Sequence, residues 1–469
     1  MTKISLMSVA RAVYSLKMDG GERSAKELAK PRYIESLCFI QAMSQLPGGL
    51  EQFCEDFLKQ CGAQGFLREL PARMAWDYLW KDLDRYYEEL EEGGEARLEE
   101  AKSHKAAGQS NAIEVCALVE YLSAWCGAGR AGNDFGLEFS NRWPAFLEAL
   151  GVFMDAYAQA EIGKTADTSL RRKVFEELDF ARKECVPVSL VADTRHGKTT
   201  AAESYCKAWP GRARVVTVPA SNRERDLLRA HAEAYGLKFT PSTPTPHLKE
   251  WVEFTQRYTK LFLLYDESHY LIPIEYHKDT PPRRLEWVRT EVIDRGIACA
   301  FLATPQSTDE TLQRYAEKTK YRLGQWVGRI APPVVLSDEP TDDDYMAVSR
   351  LRFPEFPHRV LVGLCALAAV GQNGYKTLDL VARRAHHESS IRGADRVTLA
   401  DVAKAAEWAG MRIPTGSGNV KVVAADRSKD EFGGHGRNSP MPRVAAADGL
   451  QGARSRGVVT DIPALTVPA

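Results

Sequence analysis

The chain has no excess of charge of either sign. Its 62 lysines and arginines face 63 aspartates and glutamates, for a formal net charge of −1. Bulk charge therefore selects neither a nucleic acid nor a membrane surface as partner. The nine cysteines include no Cys-x-x-Cys pair. That removes the usual framework of a zinc site or a disulfide-stapled fold, and leaves reduced core thiols of a cytoplasmic protein as the expectation. Long apolar runs are missing as well. The longest, Val360 to Val370, falls far short of the ~20 residues that a membrane helix needs. The opening MTKISLMSVARAVYSL lacks the long apolar core and small-residue cleavage site of a secretory signal. No internal repeat stands out, so a repeat architecture is not expected.

What is present is an ordinary globular balance, 44% hydrophobic and 27% charged over 469 residues. That length gives room for about two to four domains. Charge is unevenly spread: residues 1–165 carry roughly −7 and the remainder roughly +6. Residues 1–165 read as helical, with apolar residues at three- and four-residue steps such as Ile113, Cys116, Leu118, Val119 and Leu122. The charged stretch Asp82 to Lys102 reads as solvated helix ends around Gly93-Gly94, with an acidic interaction face as the alternative.

Near Thr168 the pattern changes. A helix predicted over Ser169 to Glu184 leads into VPVSLVAD, a buried strand. ARVVTVPA (213–220), KLFLLYDE (260–267) and ACAFLAT (298–304) follow as strands, with a weaker fifth in RIAPPVVLS (329–337) that Pro332 and Pro333 interrupt. Strands separated by helical stretches predict an α/β fold with a parallel five-stranded sheet. Residues 342–412 return to helix, the last one opening at Thr398 with Asp401 in a capping pattern. Residues 413–469, rich in Gly, Ser, Pro, Arg and Asp, read as a disordered tail. The expected organisation is a separate all-α domain over 1–165, an α/β core over 166–341, a helical lid over 342–412 and the tail.

The chemistry concentrates in VSLVADTRHGKTTAAESY. A buried strand enters a loop ending Gly197-Lys198-Thr199, and a helix follows. Free backbone N–H groups at such a helix start cradle phosphate oxygens. Lys198 reaches the β- and γ-phosphates of ATP, the Thr199 hydroxyl ligates Mg²⁺, and Gly197 allows close backbone approach. Asp193, Thr194, Arg195, His196, Gly197, Lys198, Thr199 and Thr200 form the candidate phosphate-binding set. Arg195 and His196 either add phosphate contacts or point to solvent. Ala192 stands where the usual pattern has its first glycine. A second GKT, Gly163-Lys164-Thr165, follows a helical segment instead of a strand and is set aside as chance.

LFLLYDESHYL supplies the second motif. Asp266 at a strand end can hold Mg²⁺ through water, and Glu267 can polarise the attacking water. Thr304, closing the fourth strand, either senses the γ-phosphate or serves as a turn before Pro305. Arg329, with Arg322 as competitor, is the candidate that reaches a neighbour's γ-phosphate in an oligomer; a plain surface arginine is the alternative. Arg383 and Arg384 in the lid are candidates for nucleotide contact in cis, with plain surface arginines as the favoured alternative. ATP with Mg²⁺ is expected between sheet and lid.

With these motifs in order, residues 166–412 resemble AAA+ ATPases. More narrowly they resemble the transposition target-selection ATPases, the Mu B, TniB and TnsC group. The likeness rests on TAAESY after the phosphate loop, DESH at 266–269, ATPQ at 303–306 and GYKTLDLVARRAHHESSIRGADRVTLADV at the close of the lid. It covers roughly half the chain. The resemblance implies ATP-dependent homo-oligomers (rings or filaments), duplex DNA along their inner surface, and a transposase or integrase partner. The long N-terminal region departs from the group and shows no helix-turn-helix. DNA-contact candidates at strand ends are Arg223, Arg225 and Arg229, which Glu224 and Asp226 intersperse, and Lys278, Arg283 and Arg284, with a solvated surface as the favoured alternative. A signalling or anti-phage defence ATPase, whose helical N-terminal region binds a protein partner, is the alternative reading. A two-lobed helicase, which DESH and LAT also suggest, is not expected, because a helical lid and a polar tail follow LAT where a second lobe would stand, and an inactive scaffold is opposed by Lys198, Thr199, Asp266 and Glu267.

Overall fold

The computed structural model describes residues 4–18, 33–63, 119, 122, 143–192, 197–272, 282–304, 314–318, 324–336, 340–370 and 374–409. The charged stretch 82–102, the residues Ile113, Cys116 and Leu118, and the tail 413–469 lie outside the described residues, whereas Val119 and Leu122 are helical and buried.

Four helices come first: α1 Leu6–Met18, α2 Tyr33–Met43, α3 Gly49–Ala63 and α4 Trp143–Gly163. Then α5 Ser169–Glu184 leads to strand β1 Val188–Val191, followed by α6 Lys198–Ala208 and β2 Ala213–Thr217. Helices α7 Glu224–Ala234 and α8 Thr245–Thr259 lead to β3 Phe262–Asp266 and a 3₁₀ turn, Ser268–Leu271. A short α9, Arg283–Val288, runs on through a wide π turn, Arg289–Ile293, to β4 Cys299–Ala303. Helix α10 Gly324–Val327 and the two-residue β5 Val334–Val335 follow. The last helices are α11 Asp342–Arg352, α12 His358–Val370, α13 Tyr375–Ile391 and α14 Leu399–Trp408.

The five strands are all parallel, in the order β2-β3-β4-β1-β5. This is the α/β fold with a parallel five-stranded sheet that the sequence pattern predicts. Near-continuous apolar runs make sense here because both faces of the sheet are covered. Phe262 and Leu264 of β3, with Ala300 and Leu302 of β4, pack with Leu170, Val174, Leu178 and Ala181 of α5 and with Ala201, Ala202 and Tyr205 of α6. Those α5 residues recur at helical spacing, so one stripe of the helix lies on the sheet. Leu263 and Tyr265, with Cys299 and Phe301, face the other way. Each fully buried valine, leucine or phenylalanine among them stabilises by about 1.5–3 kcal/mol. The fifth strand is short for the reason its sequence shows. Pro332 and Pro333 have no N–H to give a ladder, which confines this segment to the sheet edge; pairing resumes with Leu336 N–H donating to the Val191 carbonyl (2.7 Å).

The boundary at residue 165 marks a change of periodicity and not a break in the core. Met1–Thr165 and Leu170–Asp338 form one compact unit. The apolar cluster on the second face of the sheet includes Leu37, Phe39 and Ile40 of α2, Phe53 of α3 and Phe153 of α4, together with Val216, Leu263 and Phe301. Tyr14 of α1 meets Tyr258 of α8 edge-on at 5.3 Å between ring centres. Glu35 pairs with Arg212, and Gln41 Oε1 accepts from Arg214 Nη2 (3.2 Å). The closest approach is at Gly211, in the turn between α6 and β2. A methyl there would stand 2.5 Å from the Glu35 carbonyl oxygen and 2.9 Å from Phe39 Cβ. Gly211→Ala is expected to destabilise the protein by about 1–3 kcal/mol by overpacking this seam, read as a lowered urea midpoint; an unshifted midpoint would contradict the docking of α2.

Ala166–Ser169 and Glu339–Ala469 form the second unit. Two capping boxes start its helices. Thr341 accepts from Asp344 N–H while Asp344 accepts from Thr341 N–H, and Thr398 and Asp401 do the same for α14. Asp344 also accepts from the backbone N–H (2.6 Å) and hydroxyl (2.7 Å) of Ser169. Burial pushes the Asp401 carboxyl upward, but hydrogen bonds from Arg392 and Thr398 outweigh it and bring it from 3.8 down to about 2. A depressed carboxylate contributes stability that is complete above its unfolded pKa of about 3.9 and is lost as pH falls through its folded value. Asp401→Asn is therefore expected to lower stability at pH 7 and to flatten the stability profile between about pH 4 and 2, measured as urea midpoints.

Candidate functional site

The carboxyl ends of the central strands gather the candidate groups, where open parallel sheets place their ligands. Lys198, the first residue of α6, is buried. Its ammonium donates to the carbonyl of Ala192 (2.7 Å), just past β1, and to that of Ala303 (2.6 Å), the last residue of β4. A charge drawn out of water needs such partners. The Ala303 carbonyl accepts from Ala192 N–H as well (3.2 Å), so one oxygen ties the loop entry, the lysine and β4 together. Gly197 precedes the lysine at φ 90°, ψ 15°, a conformation open to glycine and costly for most L side chains.

Ala192 replaces a glycine without strain. The described non-glycine residues with positive φ are Cys185, Lys260 and Glu267, so Ala192 needs no glycine freedom. Its methyl is 1% exposed and packs in the α5–α6 core. Asp193, Thr194, Arg195 and His196 lie outside the described residues, while Thr199 and Thr200 are exposed on the first turn of α6. The chance GKT sits elsewhere: Lys164 follows the end of α4 and pairs with Glu161.

Asp266 closes β3 and is 5% exposed. One of its carboxylate oxygens accepts from the Glu267 N–H (3.0 Å). Glu267 is left-handed, φ 53°, ψ 39°, and begins the 3₁₀ turn with its side chain half exposed. Ser268 Oγ donates to the Leu302 carbonyl (3.0 Å), which pins the turn to β4. The sequence gives His269 no role beyond its place in DESH, yet its Nδ1 lies 3.4 Å from a Glu267 carboxylate oxygen without forming a hydrogen bond to it. Burial lowers the His269 pKa below its usual 6.5. Glu267 and Asp266 oppose that shift and the Lys198 charge adds to it, so all four groups share one electrostatic neighbourhood.

Thr304 is partly buried directly after β4. Arg329 follows α10, donates to Asp294 Oδ1 (2.6 Å) and to the Gln325 carbonyl, and is 37% exposed. Arg322 lies outside the described residues. In the second unit Arg383 pairs with Asp379 (2.8 Å) and Arg384 with Glu388 (2.5 Å), Arg384 also covering Trp408.

No protein-family model matches the sequence, and no curated protein does. Among solved structures the chain is similar to the ORC2 protein of Aeropyrum pernix in its ADP form, at 15% identity and a TM-score of 0.38, over 51% of this chain and 66% of that one. The same protein with ADPNP and ADP gives 15% identity and a TM-score of 0.37, over 50% and 67%. Cdc6p of Pyrobaculum aerophilum gives 13% and 0.35, over 51% and 66%. The first match thus spans just under two thirds of its relative. At such identities and scores the likeness assigns neither ligand nor activity to this chain.

The residues present fit a magnesium nucleotide. Thr199 and Asp266 offer hard oxygen donors, which suit Mg²⁺. Among the described residues no group of three or more His, Cys, Asp or Glu could hold a metal ion. Among the described residues no helix is long and apolar enough to cross a membrane.

The cations proposed for DNA divide in two. Arg223 and Arg283 are exposed. Arg225 donates to the carbonyls of Pro241 (2.5 Å) and Thr243 (2.9 Å), and Arg229 reaches Pro241 (3.5 Å). Arg284 is 2% exposed and not a surface cation at all. Lys278 lies outside the described residues.

Proposed function

We propose that the chain hydrolyses ATP, assembles with further copies of itself, binds duplex DNA and regulates a transposase or integrase. The observation that carries the ATPase part is Lys198, a buried ammonium at a helix start, held by carbonyls at the ends of β1 and β4 and sharing an electrostatic neighbourhood with Asp266 and Glu267. Those carbonyls compensate the lysine until phosphate oxygens, as stronger acceptors, compete for it. The first amides of α6 face the same anion. Thr199 and Asp266 would hold Mg²⁺, which neutralises charge developing on the phosphates when bound. Glu267 orients water for in-line attack. Arg329 leaves Asp294 to complete a neighbour's site, which makes assembly depend on the γ-phosphate.

The DNA and transposition parts rest on the resemblance in motif order and on the exposed Arg223 and Arg283. The test is ATP turnover of the full chain with and without duplex DNA across a salt series. Stimulation that fades steeply with salt is expected, and replacing either arginine by alanine should reduce the salt slope of DNA binding by about one. Turnover indifferent to DNA at low and moderate salt would remove this part. The docking of α2 against Gly211, between α6 and β2, favours a second reading in one respect. A protein bound by the N-terminal helices would bear on the far end of α6, the helix that opens at Lys198, as a signalling or defence ATPase requires.

A further inference from the structure

Arg284, the second residue of α9, is 2% exposed. A guanidinium withdrawn from water must find acceptors for its N–H groups, because an unpaired buried charge is strongly destabilising. It finds four. Nη1 donates to the carbonyls of Pro219 (3.0 Å) and Ser221, and Nη2 donates to Asn222 Oδ1 (3.2 Å) and to the carbonyl of Tyr270. Burial lowers its pKa from the usual arginine value, and the Asp226 carboxylate opposes that shift. Three of the acceptors belong to the loop leaving β2. The fourth belongs to the 3₁₀ turn leaving β3.

That turn starts at Glu267, whose left-handed backbone is disfavoured for a residue with a side chain and persists only where its surroundings over-determine it. The surroundings form a chain of hydrogen bonds. Tyr270 N–H donates to the Glu267 carbonyl (3.0 Å), Arg284 donates to the Tyr270 carbonyl, and Arg284 is itself fixed by Pro219, Ser221 and Asn222. Ser268 ties the same turn to β4 from the other side. A lysine would keep the charge but could not span acceptors on two sides with a planar fork.

We propose that Arg284 is a positioning residue for ATP hydrolysis: by bridging the loop after β2 to the turn after β3, it holds Glu267 in the backbone conformation from which its carboxylate orients water. This role rests on Glu267 being the hydrolytic glutamate. Arg284 touches no substrate and acts only through the turn. The bridge also gives the loop after β2 a direct mechanical link to that glutamate.

The experiment is steady-state ATP turnover by the full chain against ATP concentration, for wild type, Arg284→Lys, Asn222→Ala, their combination and Glu267→Gln. Arg284→Lys is expected to lower kcat about 10- to 100-fold while KM stays within about threefold. Asn222→Ala, at an exposed position, removes one acceptor and should lower kcat about threefold, with the double variant losing less than the product of the two. If Arg284→Lys does not fold, Asn222→Ala decides alone. Unchanged kcat in these variants, with Glu267→Gln inactive, overturns the bridge and leaves the ATPase reading standing. A fall in thermal midpoint with kcat kept does the same, marking Arg284 as structural. Turnover that survives Glu267→Gln overturns both.

Discussion

Glu267→Gln is expected to lower ATP turnover by about 10²- to 10⁴-fold, the range typical of a lost general base, and to leave nucleotide binding nearly intact. The amide keeps the size of the side chain and removes only its charge and basicity. Nothing in the backbone depends on that charge: the left-handed turn is held by Tyr270 N–H on the Glu267 carbonyl and by Ser268 on Leu302. The side chain is half exposed, so its loss of charge leaves no buried orphan. Phosphate release at saturating ATP and binding of a fluorescent ATP analogue separate the two effects. Turnover within tenfold of wild type would move the hydrolytic role to another group.

Lys198→Ala should fail one step earlier, at binding. The lysine contributes charge-assisted hydrogen bonds worth about 1.5–3 kcal/mol each, so ATP affinity should weaken roughly 10- to 100-fold for each hydrogen bond to phosphate that disappears. A stability effect accompanies it. Without the ammonium, the carbonyls of Ala192 and Ala303 lose a buried donor, at a cost of about 1–3 kcal/mol, although Ala303 retains its bond from Ala192 N–H. Lys198→Ala with normal ATP affinity by titration calorimetry would contradict the assignment of the phosphate loop.

These two residues are the most legible in the sequence, because their chemistry is local: a strand, a glycine-bearing loop, a helix start and a pair of acids at a strand end. The sheet is legible for a similar reason, since parallel strands buried on both faces read as continuous apolar runs. The proline pair correctly marks the fifth strand as the weak one. Arg284 shows where local pattern stops. Next to Arg283 and near Lys278 it reads as one more surface cation, and nothing in a linear string says that its acceptors come from residues 219–222 and 270. His269 is similar, placed against Glu267 by a left-handed residue that the sequence has no means to announce. The junction at 165 misleads in the opposite direction. Periodicity changes there, but packing between distant segments decides what shares a core, and Phe39 with Leu263 is such a case.

That shared core bears on how the molecule can be cut. A fragment starting at residue 166 would carry Val216, Leu263, Phe301 and Tyr258 with the cover of α1 to α4 stripped away, and water would meet an oily sheet face instead of Phe39 and Phe153. Such a piece should clump rather than catalyse. The helices alone, deprived of their floor, should fare no better, so the two halves must be studied as one body.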